Sequence, residues 1–96
     1  MRANKDLPTR SISRQSILED VKQIVAEQLG ADSERIREEH LLEEDLGCDS
    51  LTLVEITMEV EEHFDISISD EQADRVRRVR DIVEGVLQLL SDKNDA

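Results

Sequence analysis

A chain of 96 residues is long enough for one small domain with a single core. Charged and apolar residues each make up 38% of it, which is too apolar for a disordered tail and enough for a compact helical core. With 24 acids against 12 basic residues, a net charge of −12 and one aromatic residue, Phe64, the surface repels nucleic acid and anionic lipid and offers no stacking platform for bases.

Cys48 is the only cysteine. It has no intrachain disulfide partner and no companion ligands for a zinc site, which fits a reducing cytoplasm. No stretch is long and apolar enough to span a membrane, and no signal-peptide core follows Met1. The expectation is a cytoplasmic monomer without membrane insertion.

Residues 1–15 hold Arg2, Lys5, Arg10 and Arg14 against one acid, Asp6, and Pro8 discourages regular structure. They read as a flexible N-terminal extension, or as a basic arm that touches a partner or folds back on the acidic body. The folded domain is expected over 16–91, with a flexible tail at 92–96. Ser16 and Glu19 fit a capping box, and Ile17, Val21, Ile24, Val25 and Leu29 recur at helical spacing. Gly30 is a natural stop. These signals predict helix I over about 17–29.

A long loop follows, from Ala31 to about Asp49, with Ile36, Leu41, Leu42 and Leu46 as its expected anchors in the core. A loop of this length in a small domain is uncommon without a role. It ends on Leu46-Gly47-Cys48-Asp49-Ser50-Leu51. Gly47 permits a tight or left-handed turn. Asp49 and Ser50 are residue types that cap helix N-termini. A hydroxyl there sits where the positive end of the helix welcomes a phosphate.

Helix II is predicted from Leu51 to Phe64. At about 100° per residue it carries two apolar stripes. Leu53, Ile56, Thr57, Val60 and Phe64 form the expected core stripe. Leu51, Val54 and Met58 lie over a quarter-turn away, beside Glu55, Glu59 and Glu62, which are costly to bury unpaired. An apolar patch ringed by acids suggests a docking face for a partner with a greasy notch and a basic rim. The bland alternative is a helix buried more widely. No Lys or Arg occurs between Arg37 and Arg75, while Glu38 to Asp74 holds 14 acids.

Residues 65–68 alternate polar and apolar but have no strand partner, and read as a loop. Ser69-Asp70-Glu71-Gln72 is a second capping box, opening a short helix III over about 70–75 with Ala73 and Val76 inward. Arg75, Arg77, Arg78 and Arg80 are expected to pair with the chain's own acids. Helix IV is predicted over about 80–91 from Val79, Ile82, Val83, Val86, Leu87 and Leu90. Gly85 weakens it and offers a place for another helix to approach closely.

Catalytic machinery is sparse. His40 and His63 have no evident triad partners, and a Ser50–His40 pair lacks an orienting acid and an oxyanion hole. No Gly-rich phosphate loop or metal-ligand set appears, and Glu43-Glu44-Asp45 does not match an EF-hand loop. Ser50 reads as a passive acceptor on which another enzyme acts.

Glu44-Asp45-Leu46-Gly47-Cys48-Asp49-Ser50-Leu51, followed by Val54-Glu55-Ile56 and Glu61-Glu62-His63-Phe64, resembles the acyl carrier proteins. The likeness runs from about Ile17 to about Val86. It takes in Glu27-Gln28-Leu29-Gly30 and Ile68-Ser69-Asp70-Glu71. It implies an all-α fold, a small four-helix bundle with a long loop between helices I and II and a short helix III. It implies that Ser50 receives 4′-phosphopantetheine from coenzyme A, with Asp49 aiding recognition by a phosphopantetheinyl transferase. The thiol of that arm carries acyl groups as thioesters for fatty acid or related lipid synthesis. The implied partners are synthases, reductases, dehydratases and acyltransferases with basic patches, docking on Leu51, Val54, Glu55, Met58, Glu59 and Glu62. Four features depart from the common pattern: Cys48 where a small residue such as alanine is usual, Thr52-Leu53 for Asp-Thr, Ser69 for proline, and a longer N-terminal arm. They leave open a carrier dedicated to a polyketide, aminoacyl or unusual-lipid pathway. The reading from a different class is an acidic helical interaction module without a prosthetic group.

Overall fold

The computed structural model describes residues 13–95, and side chains as far as Asp92. It contains four α-helices, α1 (Arg14–Leu29), α2 (Ser50–Phe64), α3 (Asp70–Asp74) and α4 (Val79–Asp95), with a 3-10 turn at Ser33–Arg35. No strand forms among the described residues; Leu41 and Arg78 make one isolated antiparallel bridge. The small helical bundle with a long first loop and a short third helix is therefore present.

Helix α1 begins three residues earlier than its pattern predicts. Its N-cap is Ser13, whose hydroxyl accepts from the Ser16 backbone N–H at 3.1 Å. Ser16 thus lies within the first turn, and the expected Ser16–Glu19 box does not form. Glu19 instead accepts from Gln15 at 2.9 Å. A long-range contact accompanies the earlier start. Arg14 reaches Glu38 in the first loop at 2.7 Å and Glu84 of α4 at 2.8 Å. Hydrogen bonding to Arg14 holds the Glu38 carboxyl below its usual range. Residues 14 and 15 are accordingly helical rather than part of an extension, and the proposed arm over residues 1–12 lies outside the described residues. At the other end α4 runs through Asp95 rather than stopping near residue 91. Ala96, the end of the expected tail, also lies outside them.

The core is aliphatic. Ile17, Val21, Ile24 and Val25 of α1 meet Ile56 and Val60 of α2 and Val79, Ile82, Val83 and Val86 of α4. Helices α1, α2 and α4 bury the stripes their periodicity selects, whereas α3 buries no residue and its expected inward residues, Ala73 and Val76, are half-buried. Gly30 closes α1 in the left-handed conformation, φ 67°, and the following Ala31 N–H reaches back to the Ala26 carbonyl at 2.9 Å. The Ser69–Gln72 capping box forms as its spacing requires.

Much of the first loop is held by tertiary hydrogen bonds. Leu42 N–H donates to the Arg77 carbonyl, Val79 N–H to His40 and Arg80 N–H to Glu38, at 2.9 to 3.1 Å. Ile36 and Leu42 are fully buried anchors, whereas Leu41 and Leu46 are half-buried. The arginine cluster differs from expectation. Arg78 donates to the Glu39 carbonyl and Arg77 to the carbonyls of Asp74 and Val76. Among the described residues none of Arg75, Arg77, Arg78 and Arg80 forms a carboxylate ion pair; those pairs are made by Arg14 and by His63 with Asp20. For Arg77 and Arg78 the nearer partners are these carbonyls, whereas Arg80 acts on the Glu38 carboxyl through its charge alone.

Candidate functional site at the head of helix α2

The approach to Ser50 is a tightly wound segment. Leu41 N–H donates to Asp45 Oδ2 at 2.8 Å, and the N–H groups of Asp45 and Leu46 return to the Leu41 carbonyl. Gly47 then takes φ 73°, a conformation costly for a residue with a Cβ. Cys48 N–H donates to the Leu42 carbonyl at 2.9 Å, and its side chain is buried. Cys48 is thus a loop anchor that the pattern of branched aliphatics does not reveal. Burial raises its thiol pKa, with Asp49 and Glu43 adding to the effect, so it is held as a small apolar group.

Asp49 is the N-cap of α2, and its Oδ1 accepts from Thr52 N–H at 2.8 Å. That bond is the largest cause of a carboxyl pKa below its ordinary value. The charged form is therefore favoured in the folded state. Its contribution to stability is fully present above the ordinary value of 3.8 and is lost as pH falls through the lower folded value. We predict that Asp49→Asn leaves the melting temperature near neutral pH little changed, since asparagine caps as well as aspartate, and flattens the acid limb of the stability profile. Thermal melts between pH 2 and 7 check this. A large loss at pH 7 would mean that the charge, rather than the cap geometry, holds the helix start.

Ser50 is the first residue of α2 and is exposed. Its hydroxyl makes no side-chain hydrogen bond among the described residues. His40 is engaged elsewhere, its Nδ1 accepting from Arg37 N–H at 3.1 Å. The conceivable Ser50–His40 pair does not form. The second histidine, His63, pairs with Asp20 across the α1–α2 contact at 3.1 Å and packs edge-on against Phe64.

Downstream of Ser50 the two stripes of α2 separate. Ile56 and Val60 are buried, and Leu53, Thr57 and Phe64 are half-buried. Leu51, Val54 and Met58 are 66%, 53% and 60% exposed, the exposed large apolar side chains among the described residues. Glu55, Glu59 and Glu62 are exposed beside them. A cleft of about 750 Å³ opens between α2, α3 and α4, with Ser50 and Glu43 among its lining residues and Leu53, Ile68, Ala73 and Val76 along its walls. Spacing along the chain gives no sign of this cleft, because its walls come from three separate helices.

A family model described as "Phosphopantetheine attachment site" matches residues 19–87. Over 68 residues the chain is 46% identical to an acyl carrier protein of Wolinella succinogenes, covering 71% of this chain and 90% of that protein. Over 67 residues it is 48% identical to an acyl carrier protein of Clostridium acetobutylicum, covering 70% and 87%. Its structure is similar to the crystal structure of an acyl carrier protein from Thermotoga maritima, with a TM-score of 0.73, 29% identity, and coverage of 86% of this chain and 96% of that one. No helix of the described residues is long and apolar enough to cross a membrane. A match over most of the chain, with relatives this similar, places it in the acyl carrier protein family, whose members bear a phosphopantetheine group as carriers and are not themselves enzymes.

Proposed function

We propose that the chain carries acyl intermediates of fatty acid or related lipid synthesis, with 4′-phosphopantetheine attached at Ser50. The observation that carries this reading is the Ser50 hydroxyl, exposed and unengaged at the first residue of α2. The donor set suits a phosphodiester. The helix amino end favours a negative group, and Asp49 already occupies the cap, so it leaves the hydroxyl free. In the transfer the Ser50 oxygen forms a bond to phosphorus, the pyrophosphate link of coenzyme A breaks, and adenosine bisphosphate leaves. The hydroxyl proton goes to a base on the transferase. Once attached, the arm supplies a thiol that holds acyl groups as thioesters. Tethering raises the effective concentration of that group at each partner's active site. The cleft is lined by charged as well as apolar side chains, and the apolar ones, Leu53, Ile68, Ala73 and Val76 among them, favour an aliphatic cargo over an aminoacyl one. Incubation with coenzyme A and a broad-specificity phosphopantetheinyl transferase, read by intact mass, tests the assignment.

Acyl carrier proteins work with a phosphopantetheinyl transferase and with acyl-handling enzymes. Here Leu51, Val54 and Met58, with Glu55, Glu59 and Glu62, are the proposed docking face for synthases, reductases, dehydratases and acyltransferases bearing basic patches. These residues follow directly on Ser50, so a partner holding them has the arm within reach. The acids act chiefly on encounter rate, and the apolar residues on the lifetime of the complex. Reversing charge at Glu55 and Glu59 is expected to slow association with the transferase and flatten its salt dependence while helicity is unchanged. Val54→Ala and Met58→Ala are expected to cost well under the roughly 2–5 kcal/mol of a buried large-to-small change. Stopped-flow binding across a salt series and thermal melts read both; an unaltered salt slope after charge reversal places docking elsewhere. The proposed setting is the cytoplasm, with the carrier as a monomer.

A further inference from the structure

The α2 side of the cleft runs from Ser50 to Glu61, roughly 16 Å at the helical rise of 1.5 Å per residue. The α4 side includes Ile82, Gly85 and Leu89, which fall on one stripe at i, i+3 and i+7. Ile82 belongs to the core. Leu89 is half-buried and, unlike Leu87 and Leu90, does not pack against the core. Between them Gly85 presents no side chain, and a Cβ built there meets no heavy atom within 4 Å. The expected close approach of another helix at Gly85 is therefore absent. Its backbone is ordinary helix, without the positive φ of Gly30 and Gly47. A glycine inside a helix lowers stability relative to alanine, and neither packing nor backbone conformation requires one here. What the missing side chain leaves is open space in the α4 wall.

We propose that Gly85 is a specificity-determining residue, whose missing side chain keeps the α4 wall open for a long aliphatic acyl chain tethered at Ser50. This rests on the carrier reading above. Ser50 lines the same cleft, so a chain borne on its arm enters without leaving the protein surface. Among the walls it meets are Leu53, Ile68, Ala73 and Val76, where each methylene withdrawn from water is favourably transferred. Leu89, apolar and not packed on the core, closes the far end of the α4 stripe and gains a further partner when the chain is present. A leucine at position 85 would fill the gap between Ile82 and Leu89 and exclude the longer chain. A short acyl group does not reach so far and is indifferent to that change.

The test loads the whole protein from hexanoyl- or palmitoyl-coenzyme A with a broad-specificity transferase, checked by intact mass. In the parent, palmitoyl loading should raise the melting temperature above that of the hexanoyl form and shift the Gly85 and Leu89 amide resonances. Gly85→Leu should load to the same extent yet lose most of the palmitoyl increment. Gly85→Ala should melt higher than the parent when unloaded and keep most of the increment. Failure of the parent to load would overturn the carrier reading itself. Normal loading, with the palmitoyl increment intact in Gly85→Leu, overturns only the role of Gly85. Should Gly85→Leu not fold, the parent's spectra decide alone: an unmoved Gly85 amide on palmitoyl loading overturns the proposal.

Discussion

Ser50→Ala is expected to fold as the parent does and to accept no phosphopantetheine at all. The fold is expected to survive because Ser50 contributes nothing that alanine lacks. Its side chain is exposed and makes no side-chain hydrogen bond among the described residues, Asp49 supplies the cap, and alanine is a strong helix former. The loss should be complete because other hydroxyls at helix starts are already engaged. Ser13 accepts from Ser16 N–H, Ser16 donates to the Ser13 carbonyl, and Ser69 is locked in its box with Gln72. Intact mass after incubation with coenzyme A and transferase reads the modification, and circular dichroism reads the fold. A variant that still gained the mass of the arm would move the attachment point off Ser50.

The largest loss of stability should come from Leu42→Ala. Leu42 is 1% exposed and is the loop's deepest anchor. Its truncation leaves a cavity under the first loop and is expected to cost roughly 2–5 kcal/mol. In a domain of this size each kcal/mol lowers the melting temperature by about 4–8 °C. Its backbone adds a functional consequence. The Leu42 carbonyl accepts from Cys48 N–H, and its own N–H donates to Arg77. A loosened residue 42 therefore frees the segment that presents Asp49 and Ser50, so modification should slow as well. Urea denaturation and the rate of modification measure the two effects. A Leu42→Ala variant as stable as Val54→Ala would show that the loop is not anchored there.

The sequence by itself determined whatever depends on neighbours within one helical turn. Asp49 before Ser50, the Ser69–Gln72 box and Gly30 are local devices, because a cap satisfies backbone groups only two or three residues away. The same locality separated the two stripes of α2: a 3.6-residue period places Ile56 and Val60 opposite Leu51 and Met58 wherever the helix lies. The start of α1 was not decidable this way. Ser13 and Ser16 both satisfy the local rule, and Arg14 forms its pairs with Glu38 and Glu84, residues 24 and 70 positions away. Within the arginine cluster Arg78 shows the same thing, since its partner is the Glu39 carbonyl, 39 positions away, which charge counting ignores. The burial of Cys48 depends on the loop hydrogen bonds, which are long-range. The empty space at Gly85 belongs to a cleft whose walls lie on three helices, and only their packing decided that a missing side chain there leaves room rather than contact.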